Sequence, residues 1–290
     1  MSEYHISVLL QEIVDGLQVQ AGSKYIDATL GAGGHTKAIL DKGGIVLGID
    51  QDTDAIAYVQ KTQRDQKTLH IIQGNFGHID EIARKNGFEK VSGILFDLGV
   101  SSHQLDSANR GFSFLHQADL DMRMDTSLRV TAKDLISGMT QGELTALFSE
   151  YGEEPFAKKI ASRVVESRKV KQIATTTELA NLVASVYPRG NHKVHPATKV
   201  FQALRIAVND ELGQLKEALP KALDLLGRNG RIAIISFHSL EDRVVKQTFL
   251  DWEKKSLGKI LTKKPIIPSE KEREENRKSR SSKLRIFEKR

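Results

Sequence analysis

The chain has 290 residues, a formal net charge of +6 and no cysteine. Disulfides, thiolate metal ligands and cysteine nucleophiles are therefore excluded. No run approaches the roughly 18 apolar residues of a membrane-spanning helix, and the N-terminus lacks the basic and then apolar layout of a signal peptide. These features predict a cytoplasmic protein without a membrane anchor.

The first third of the chain alternates short apolar runs with helical patterns. Because buried β-branched runs separated by helices are typical of parallel sheets, we predict an α/β fold. The predicted strands cover residues 24–30, 45–50, 69–73, 91–98 and 231–237, and the predicted helices between and after them cover residues 52–63, 79–86 and 209–226. Gly230 is expected to end the turn before the last strand, and the charged segment 269–280 is expected to be a mobile loop.

The middle of the chain has a helical pattern that no strand interrupts. Helices are predicted at residues 134–149, 155–168 and 177–187. The strand that follows is buried and rich in β-branched residues, as the earlier strands are, which favours a helical insertion into one α/β domain. We therefore predict a discontinuous domain of residues 1–110 and 207–290, with an inserted helical domain of residues 111–206.

The positive charge is concentrated in two segments. Residues 158–205 carry +8 and residues 251–290 carry +7, whereas the rest of the chain carries −9. Such surfaces suit a polyanion such as nucleic acid, and a solvated helix face is the alternative for each segment. Candidate RNA contacts in the first segment are Lys158, Lys159, Arg163 and Arg168.

A glycine-rich turn follows the first predicted strand. Asp27 precedes Gly31-Ala32-Gly33-Gly34, and a helix follows, which is the layout of a nucleotide-binding loop. Asp50 ends the second strand, 19 residues after Gly31. At that position its carboxylate suits the two hydroxyls of a ribose, so the pattern predicts an adenosine-containing ligand.

NAD and S-adenosylmethionine both contain such an adenosine. The dinucleotide pattern requires a third glycine at position 36, which is Thr36 here. Asp27 would also repel a pyrophosphate, whereas the ammonium and sulfonium groups of S-adenosylmethionine are cations. The methyl donor is therefore favoured, and an NAD-dependent oxidoreductase remains the alternative.

Two further turns follow the third and fourth predicted strands. They are Gly74-Asn75-Phe76-Gly77 and Asp97-Leu98-Gly99-Val100-Ser101-Ser102. Because ligands bind beyond the carboxyl ends of parallel strands, both turns are expected to face the same pocket. Phe76 is a candidate to lie against the adenine, although aromatic residues at strand ends are more often part of the core.

Several long blocks make the chain resemble a known family. The blocks are Asp27–His35, Gly93–Ser102, Arg110–Phe114, Leu120–Asp125, His195–Thr198, Phe201–Ile206 and Ser236–Arg243. Together they closely resemble the bacterial 16S rRNA cytosine-N4 methyltransferase family, from His5 to Arg285. The chain departs from the family pattern at His103 and at Asp119, where a proline is usual.

The resemblance implies a Rossmann-like class I methyltransferase sheet with an inserted all-helical domain. It also implies methylation of N4 of one decoding-centre, P-site cytidine of 16S rRNA in the 30S subunit, with S-adenosylmethionine as donor. Carried over by position, the donor site would comprise Gly33, Gly34, His35, Asp50, Phe76, Asp97 and Gln104, and the strand-end argument adds Asp27 and Gly31.

The roles expected at the acceptor side follow from the same blocks. Asp97, or a nearby acceptor in the turn from Asp97 to Gln104, is expected to accept a hydrogen bond from the cytosine amine, after which water takes the proton. Ser101, Ser102, Arg110, His238 and Ser239 are candidates to shape the cytosine pocket. No metal-ligand spacing is present, so no metal is expected.

Some interpretations stay open. Among enzymes, a DNA or other RNA amino-methyltransferase is the nearest alternative, although Asp97-Leu-Gly-Val stands where the DNA group has Asn/Asp-Pro-Pro-aromatic. A catalytically inactive ribosome-binding protein would keep the basic surfaces without needing three aspartates at strand ends. His195 and the segment Glu241-Asp242-Arg243 are expected to be structural, the latter as an ion-pair network. A homodimer and a monomer are both compatible with the sequence.

Overall fold

The computed structural model describes residues 7–63, 66–101, 104, 110–192 and 194–290. By spatial proximity the chain divides into two compact units, one of residues 1–101 and 212–290 and the other of residues 102–211. Within the described part of the chain, no helix combines the length and apolar character needed to cross a membrane.

The first unit contains a seven-stranded sheet. Its strands are β1 (Lys24–Asp27), β2 (Ile45–Asp50), β3 (Leu69–Gln73), β4 (Val91–Asp97), β5 (Leu226–Ser236), β6 (Gly258–Ile260) and β7 (Lys283–Lys289). Their spatial order is β3-β2-β1-β4-β5-β7-β6. Strands β1 to β5 pair in parallel, which confirms the predicted α/β fold, whereas β7 runs antiparallel to both of its neighbours.

Helices cover both faces of this sheet. They are α1 (Leu10–Leu17), α2 (Gly34–Asp41), α3 (Thr53–Thr62), α4 (Ile79–Lys85), α10 (Glu211–Leu225), α11 (Ser239–Lys254) and α12 (Glu270–Glu275), with α10 joining this unit from Leu212. Successive strand residues alternate between two cores. Ile94 and Phe96 pack with α4, α10 and α11, whereas Leu95 packs with α1 and α2. Because both faces are buried here, β2 and β4 are near-continuous apolar runs.

Two sequence predictions near the C-terminus are wrong. Gly230 lies inside β5 rather than in a turn, because β5 begins at Leu226 and its pairing with β4 shifts register between Val91 and Gly93. The segment 269–280 is not a loop. Ser269 accepts a hydrogen bond from Glu272 N and begins α12, and a 3-10 helix (Arg277–Ser281) follows.

The second unit is built mainly from helices. They are α5 (Ala132–Gly138), α6 (Gln141–Gly152), α7 (Ala157–Val170), α8 (Thr176–Ala184) and α9 (Thr198–Asn209). The single helix predicted over 134–149 is wrong, because the backbone is extended at Met139 and α6 begins anew with a capping box between Thr140 and Glu143. The functional division of the chain at residues 111–206 remains a prediction.

Candidate functional site

Three aspartates end three neighbouring strands of the first unit. Asp50 ends β2, Asp27 ends β1 and Asp97 ends β4. The chain winds outward through β2 and β3 on one side of β1 and through β4 and β5 on the other. A crevice at such a reversal, outside the carboxyl ends of the strands, is where open α/β sheets bind ligands.

Asp50 fixes the glycine loop by accepting backbone hydrogen bonds. Its Oδ2 accepts a hydrogen bond from Gly31 N at 2.7 Å, and its Oδ1 accepts one from Asp52 N at 2.9 Å. Burial raises the pKa of Asp50 to about 6, although these two backbone hydrogen bonds lower it. The carboxylate therefore fixes the loop, and each oxygen retains a second lone pair for a ligand hydroxyl.

Asp27 lies deeper, with an exposed fraction of 1%. Its Oδ2 accepts a hydrogen bond from Thr36 Oγ1 at 2.7 Å, and its Oδ1 accepts one from Thr29 N at 3.2 Å. Burial raises the pKa of Asp27, while His35 and these hydrogen bonds lower it. Thr36, which stands where a dinucleotide site has glycine, therefore holds Asp27 in place.

Asp97 projects from the end of β4 among charged neighbours. Thr29 Oγ1 accepts a hydrogen bond from Asp97 N at 2.6 Å, and Asp97 Oδ2 lies 3.6 Å from His35 Nδ1. Burial raises the pKa of Asp97 to about 6; His35 lowers it, and Asp27 and Glu241 raise it. Its Oδ1 is buried and has no hydrogen-bond partner among the described residues.

The glycines of the loop differ in what surrounds them. Gly31 has a φ of 50°, and among the described residues a Cβ there would have only Thr29 O within 4 Å, at 3.8 Å. At Gly34, by contrast, a Cβ would meet Ser7 Oγ, and at Gly33 it would lie 2.6 Å from Gln63 Nε2. Within the described part of the chain Gly31 therefore borders open space, whereas a side chain at Gly33 or Gly34 would meet neighbouring side chains, and the φ of 75° at Gly33 also favours glycine.

Phe76 begins a short 3-10 helix after β3. Asn75 Oδ1 accepts a hydrogen bond from Gly77 N at 2.8 Å and fixes this turn. Lys221 Nζ, on α10, donates to Gly77 O at 2.6 Å. The Phe76 ring is partly buried and contacts Phe96 edge to face, with ring centroids 5.7 Å apart, so it combines a core contact with an exposed part.

The turn after β5 is a helix cap. His238 is the N-cap of α11, and Ser239 is the first residue of that helix. Glu241 is 2% exposed, and its Oε2 accepts a hydrogen bond from Phe237 N at 2.8 Å. Asp242 pairs with Arg285 at 2.6 Å. The expected ion-pair role is therefore confirmed for Asp242, whereas Glu241 also contributes negative charge near Asp97.

The remaining predicted site residues are in or beside the second unit. Ser101 is partly buried at the end of the first unit, and Ser102 and His103 lie outside the described residues. Gln104 is 4% exposed. Arg110 Nη2 donates to Met124 O at 2.9 Å and so fixes the backbone of the segment that contains Met124.

The basic residues of α7 are in different environments. Lys158 and Lys159 are exposed, and Arg163 is exposed with Glu166 3.6 Å away. Arg168 is partly buried, and its Nη1 donates to Ile136 O at 2.6 Å. His195 stacks on Phe114 with ring centroids 4.5 Å apart, which supports a structural role.

The fold and these strand ends define the class of protein. A doubly wound sheet with the order β3-β2-β1-β4-β5-β7-β6 and an antiparallel β7 is that of a class I S-adenosylmethionine-dependent methyltransferase. The MraW methylase family model matches residues 2–290, and the chain belongs to this family. It is therefore a methyltransferase that uses S-adenosylmethionine, as the loop at Asp27 and Asp50 predicted.

Similar proteins cover the full length of the chain. Proteins named ribosomal RNA small subunit methyltransferase H are 46% identical in Caldicellulosiruptor bescii, over 98% of this chain and 99% of that protein, and 42% identical in Clostridioides difficile, over 100% of both. Among solved structures, an rRNA methylase from Streptococcus thermophilus is similar over 98% of both chains, with 14% identity and a TM-score of 0.46.

Proposed function

We propose that this chain methylates N4 of one decoding-centre cytidine of 16S rRNA in the 30S subunit. The full-length relatives named for small-subunit ribosomal RNA support the substrate class. The motif blocks around Asp97 and His195 support the cytosine amine as the acceptor. A cytoplasmic location belongs to the same proposal, since ribosomal subunits are assembled there.

The donor site is assigned to the ends of β1, β2 and β4. Asp50 would accept hydrogen bonds from the ribose hydroxyls, and Gly31 leaves room for the ligand beside it. The exposed part of Phe76 would lie against the adenine. Asp27 accepts its hydrogen bonds from Thr36 and Thr29, so it would act on the cationic end of the donor through its charge.

The observation that carries the proposed chemistry is Asp97 Oδ1, which is buried and has no hydrogen-bond partner in the part of the chain that the structure describes. A buried acceptor without a partner costs free energy, which an N–H group of the substrate would recover. S-adenosylmethionine, when bound, supplies an electrophilic methyl group. Asp97 would orient the amine for in-line approach, and such alignment lowers a barrier by about 7 to 11 kcal/mol in favourable cases.

The second unit is proposed as the RNA-recognition domain. A cytosine must leave its stack to enter an active site, and the protein must hold the flanking backbone while it does so. Lys158, Lys159 and Arg163 project from α7 into solvent, where they can contact phosphates. Arg168 would contribute less, because its guanidinium holds the Ile136 carbonyl.

Reversing two of these charges should weaken RNA binding. In K158E/K159E we expect the Kd for a 16S rRNA fragment to rise about tenfold, and the salt dependence of log Kd to fall by about 1 to 2, since about 0.9 counterion is released for each phosphate contact. Filter binding from 50 to 300 mM KCl measures both quantities, and K61E/K85E on the first unit is the matched control. An unchanged Kd with an unchanged salt slope would remove α7 from the RNA interface.

Donor affinity should depend on pH through Asp50 and Asp97. Both have a pKa of about 6 in the ligand-free protein, and both would be ionised when S-adenosylmethionine is bound. Acidification protonates them, and each protonation contributes about tenfold, so the Kd for S-adenosylmethionine should rise about 100-fold between pH 7.5 and pH 5. Calorimetry across this range tests the expectation, and a constant Kd would contradict it.

Mapping N4-methylated cytidines in cellular 16S rRNA tests the proposed function itself.

A further inference from the structure

The C-terminal basic region contains a short segment in which cations are densest. It is the 3-10 helix Arg277–Ser281, of sequence Arg-Lys-Ser-Arg-Ser, which lies between α12 and β7. Three of its five residues are cationic, and the sequence has no acidic residue from Asn276 to Lys283. Such a segment suits a polyanion, and neither the donor site nor α7 accounts for it.

A buried polar face holds this segment in place. Asn276, Ser279 and Ser282 recur at every third residue, which is the period of a 3-10 helix, and they are 8%, 0% and 2% exposed. Ser279 Oγ donates to Asn276 O at 2.8 Å, and Ser282 Oγ donates to Ser279 O at 2.8 Å. Because these small side chains fix the backbone from the inner side, the outer side of the segment is rigidly presented to solvent.

Arg277 and Arg280 are on this outer side. Both are exposed, and they are one 3-10 turn apart, so they share a face of the segment with about 6 Å of rise between them. Lys283 and Arg285 are different, because both pair with Asp242, at 3.2 Å and 2.6 Å. Guanidinium groups bind phosphate oxygens bidentately, so two of them on one fixed face can hold neighbouring phosphates.

The segment lies at the edge of the sheet that carries the donor site. β7 runs antiparallel to β5, and its first residue, Lys283, pairs with Ser236, the last residue of β5. β5 in turn pairs in parallel with β4, where Ile235 is opposite Asp97. The start of β7 is therefore two strand spacings, or about 10 Å, from the strand that ends in Asp97.

Hydrogen bonds through the N-terminal part of the chain place the segment at the same edge. Val8 O accepts a hydrogen bond from His35 Nε2 at 2.9 Å, on the helix that follows the glycine loop. The next residue, Leu9, donates from its N to Glu272 Oε1 at 2.8 Å. Glu272 O accepts a hydrogen bond from Ser279 Oγ at 3.4 Å. Strand pairing and these contacts thus agree on where the segment lies.

We propose that Arg277 and Arg280 bind the phosphate backbone of the RNA that carries the target base. This inference rests on the proposed function, which makes RNA the polyanion at this edge of the sheet. A base that leaves its stack brings its flanking phosphates to the mouth of the site, where the two guanidinium groups hold them. The unit that carries the donor site therefore has an RNA contact of its own, in addition to the basic residues of α7.

Reversing both charges tests this assignment. In R277E/R280E we expect the Kd for a 16S rRNA fragment that contains the decoding centre to rise about tenfold. The slope of log Kd against log salt concentration should fall by about 1 to 2, since about 0.7 to 0.9 counterion is released for each phosphate contact. Filter binding at several KCl concentrations measures both quantities. R277A/R280A should change them in the same direction, and it decides the question if the glutamates prevent folding.

R228E/R290E is the matched control for this experiment. Both arginines are exposed and lie at the opposite edge of the same sheet, Arg228 near the start of β5 and Arg290 just after the end of β7. The change in net charge is the same in the two double variants, so only a local contact distinguishes them. The control should stay within about twofold of the wild-type Kd. Equal Kd values and equal salt slopes in R277E/R280E and R228E/R290E would overturn the proposal.

Donor binding and methylation keep this inference apart from the proposed function. Calorimetry should give R277E/R280E the wild-type Kd for S-adenosylmethionine, and a loss of donor binding as large as the loss of RNA binding would contradict an RNA contact. If the wild-type protein binds the fragment through Arg277 and Arg280 but methylates no cytidine in it, the proposed function is wrong and the RNA contact stands. If the cytidine is methylated and R277E/R280E binds RNA as the control does, only this inference is wrong.

Discussion

Replacing Asp50 with alanine is expected to raise the Kd for S-adenosylmethionine about 100-fold. The substitution removes a charged acceptor for two ribose hydroxyls, and each such hydrogen bond contributes about 1.5 to 3 kcal/mol. It also frees Gly31 N and Asp52 N, which the carboxylate now holds, so the loop loses its support. Calorimetry at pH 7.5 measures this Kd directly.

Asp41→Ala is the matched control for that experiment. Asp41 is an exposed aspartate of α2 that pairs with Lys37, so its loss should leave the Kd for the donor unchanged. Thermal unfolding of both variants separates a loss of binding from a loss of folding. A Kd within threefold of the wild type in a folded D50A protein would show that Asp50 does not bind the donor.

Replacing Asp97 with alanine is expected to lower kcat about 100-fold at saturating donor. Asp97 Oδ1, which no described residue contacts by a hydrogen bond, is the acceptor that would orient the amine. Removing one preorganised group that stabilises developing charge costs about 10² to 10³ in kcat. The Kd for S-adenosylmethionine should change less, by under about tenfold, because Asp50 and the glycine loop remain. Single-turnover methylation of 16S rRNA measures the chemical step.

Asp97→Asn separates shape from charge. The amide keeps one oxygen acceptor and nearly the same volume, but it removes the negative charge of the carboxylate. An intermediate loss of kcat is therefore expected. If D97A turned over at the wild-type rate and only weakened donor binding, Asp97 would be a donor ligand without a role in positioning the amine.

The sheet was largely predictable because its signal is local. Strands β2 and β3 have the predicted bounds, since short apolar runs end sharply at Asp50 and at Gln73. Strands β6 and β7 were missed. β6 has only three residues. β7 mixes charged and apolar side chains, and it belongs to the sheet because it pairs with β5 and β6, which are distant in sequence from its own local pattern.

The site was predictable where one residue type at a strand end implies a ligand. Asp27, Asp50 and Asp97 are on neighbouring strands, as the winding of a parallel sheet requires. The contacts of Thr29 and Glu241 could not be predicted, because they depend on residues more than 60 positions away in the chain. In the sequence, Thr36 is informative only as a residue that replaces the third glycine of the dinucleotide pattern. The structure adds that its hydroxyl donates a hydrogen bond to Asp27.

The helical unit shows the limit of periodicity as a guide. Apolar spacing continued through residues 134–149, but the hydrogen bonds of Thr140 to Glu143 begin a new helix there. The sequence already contained that capping signature, in the Thr140-Gln-Gly-Glu143 tetrad. The basic residues of α7 were predicted as one surface, yet the Ile136 carbonyl holds Arg168 while Lys158 and Lys159 remain exposed.

The central claim is that this chain methylates N4 of one cytidine of 16S rRNA. Mass spectrometric mapping of 16S rRNA from cells with the chain, cells lacking it and cells carrying only the D97A variant tests the claim most directly. We predict one decoding-centre cytidine that carries an N4-methyl group in the first cells, and whose N4-methylation is lost or strongly reduced in the other two. The same cytidine methylation in all three, or a lost methyl group on another base, would contradict the claim.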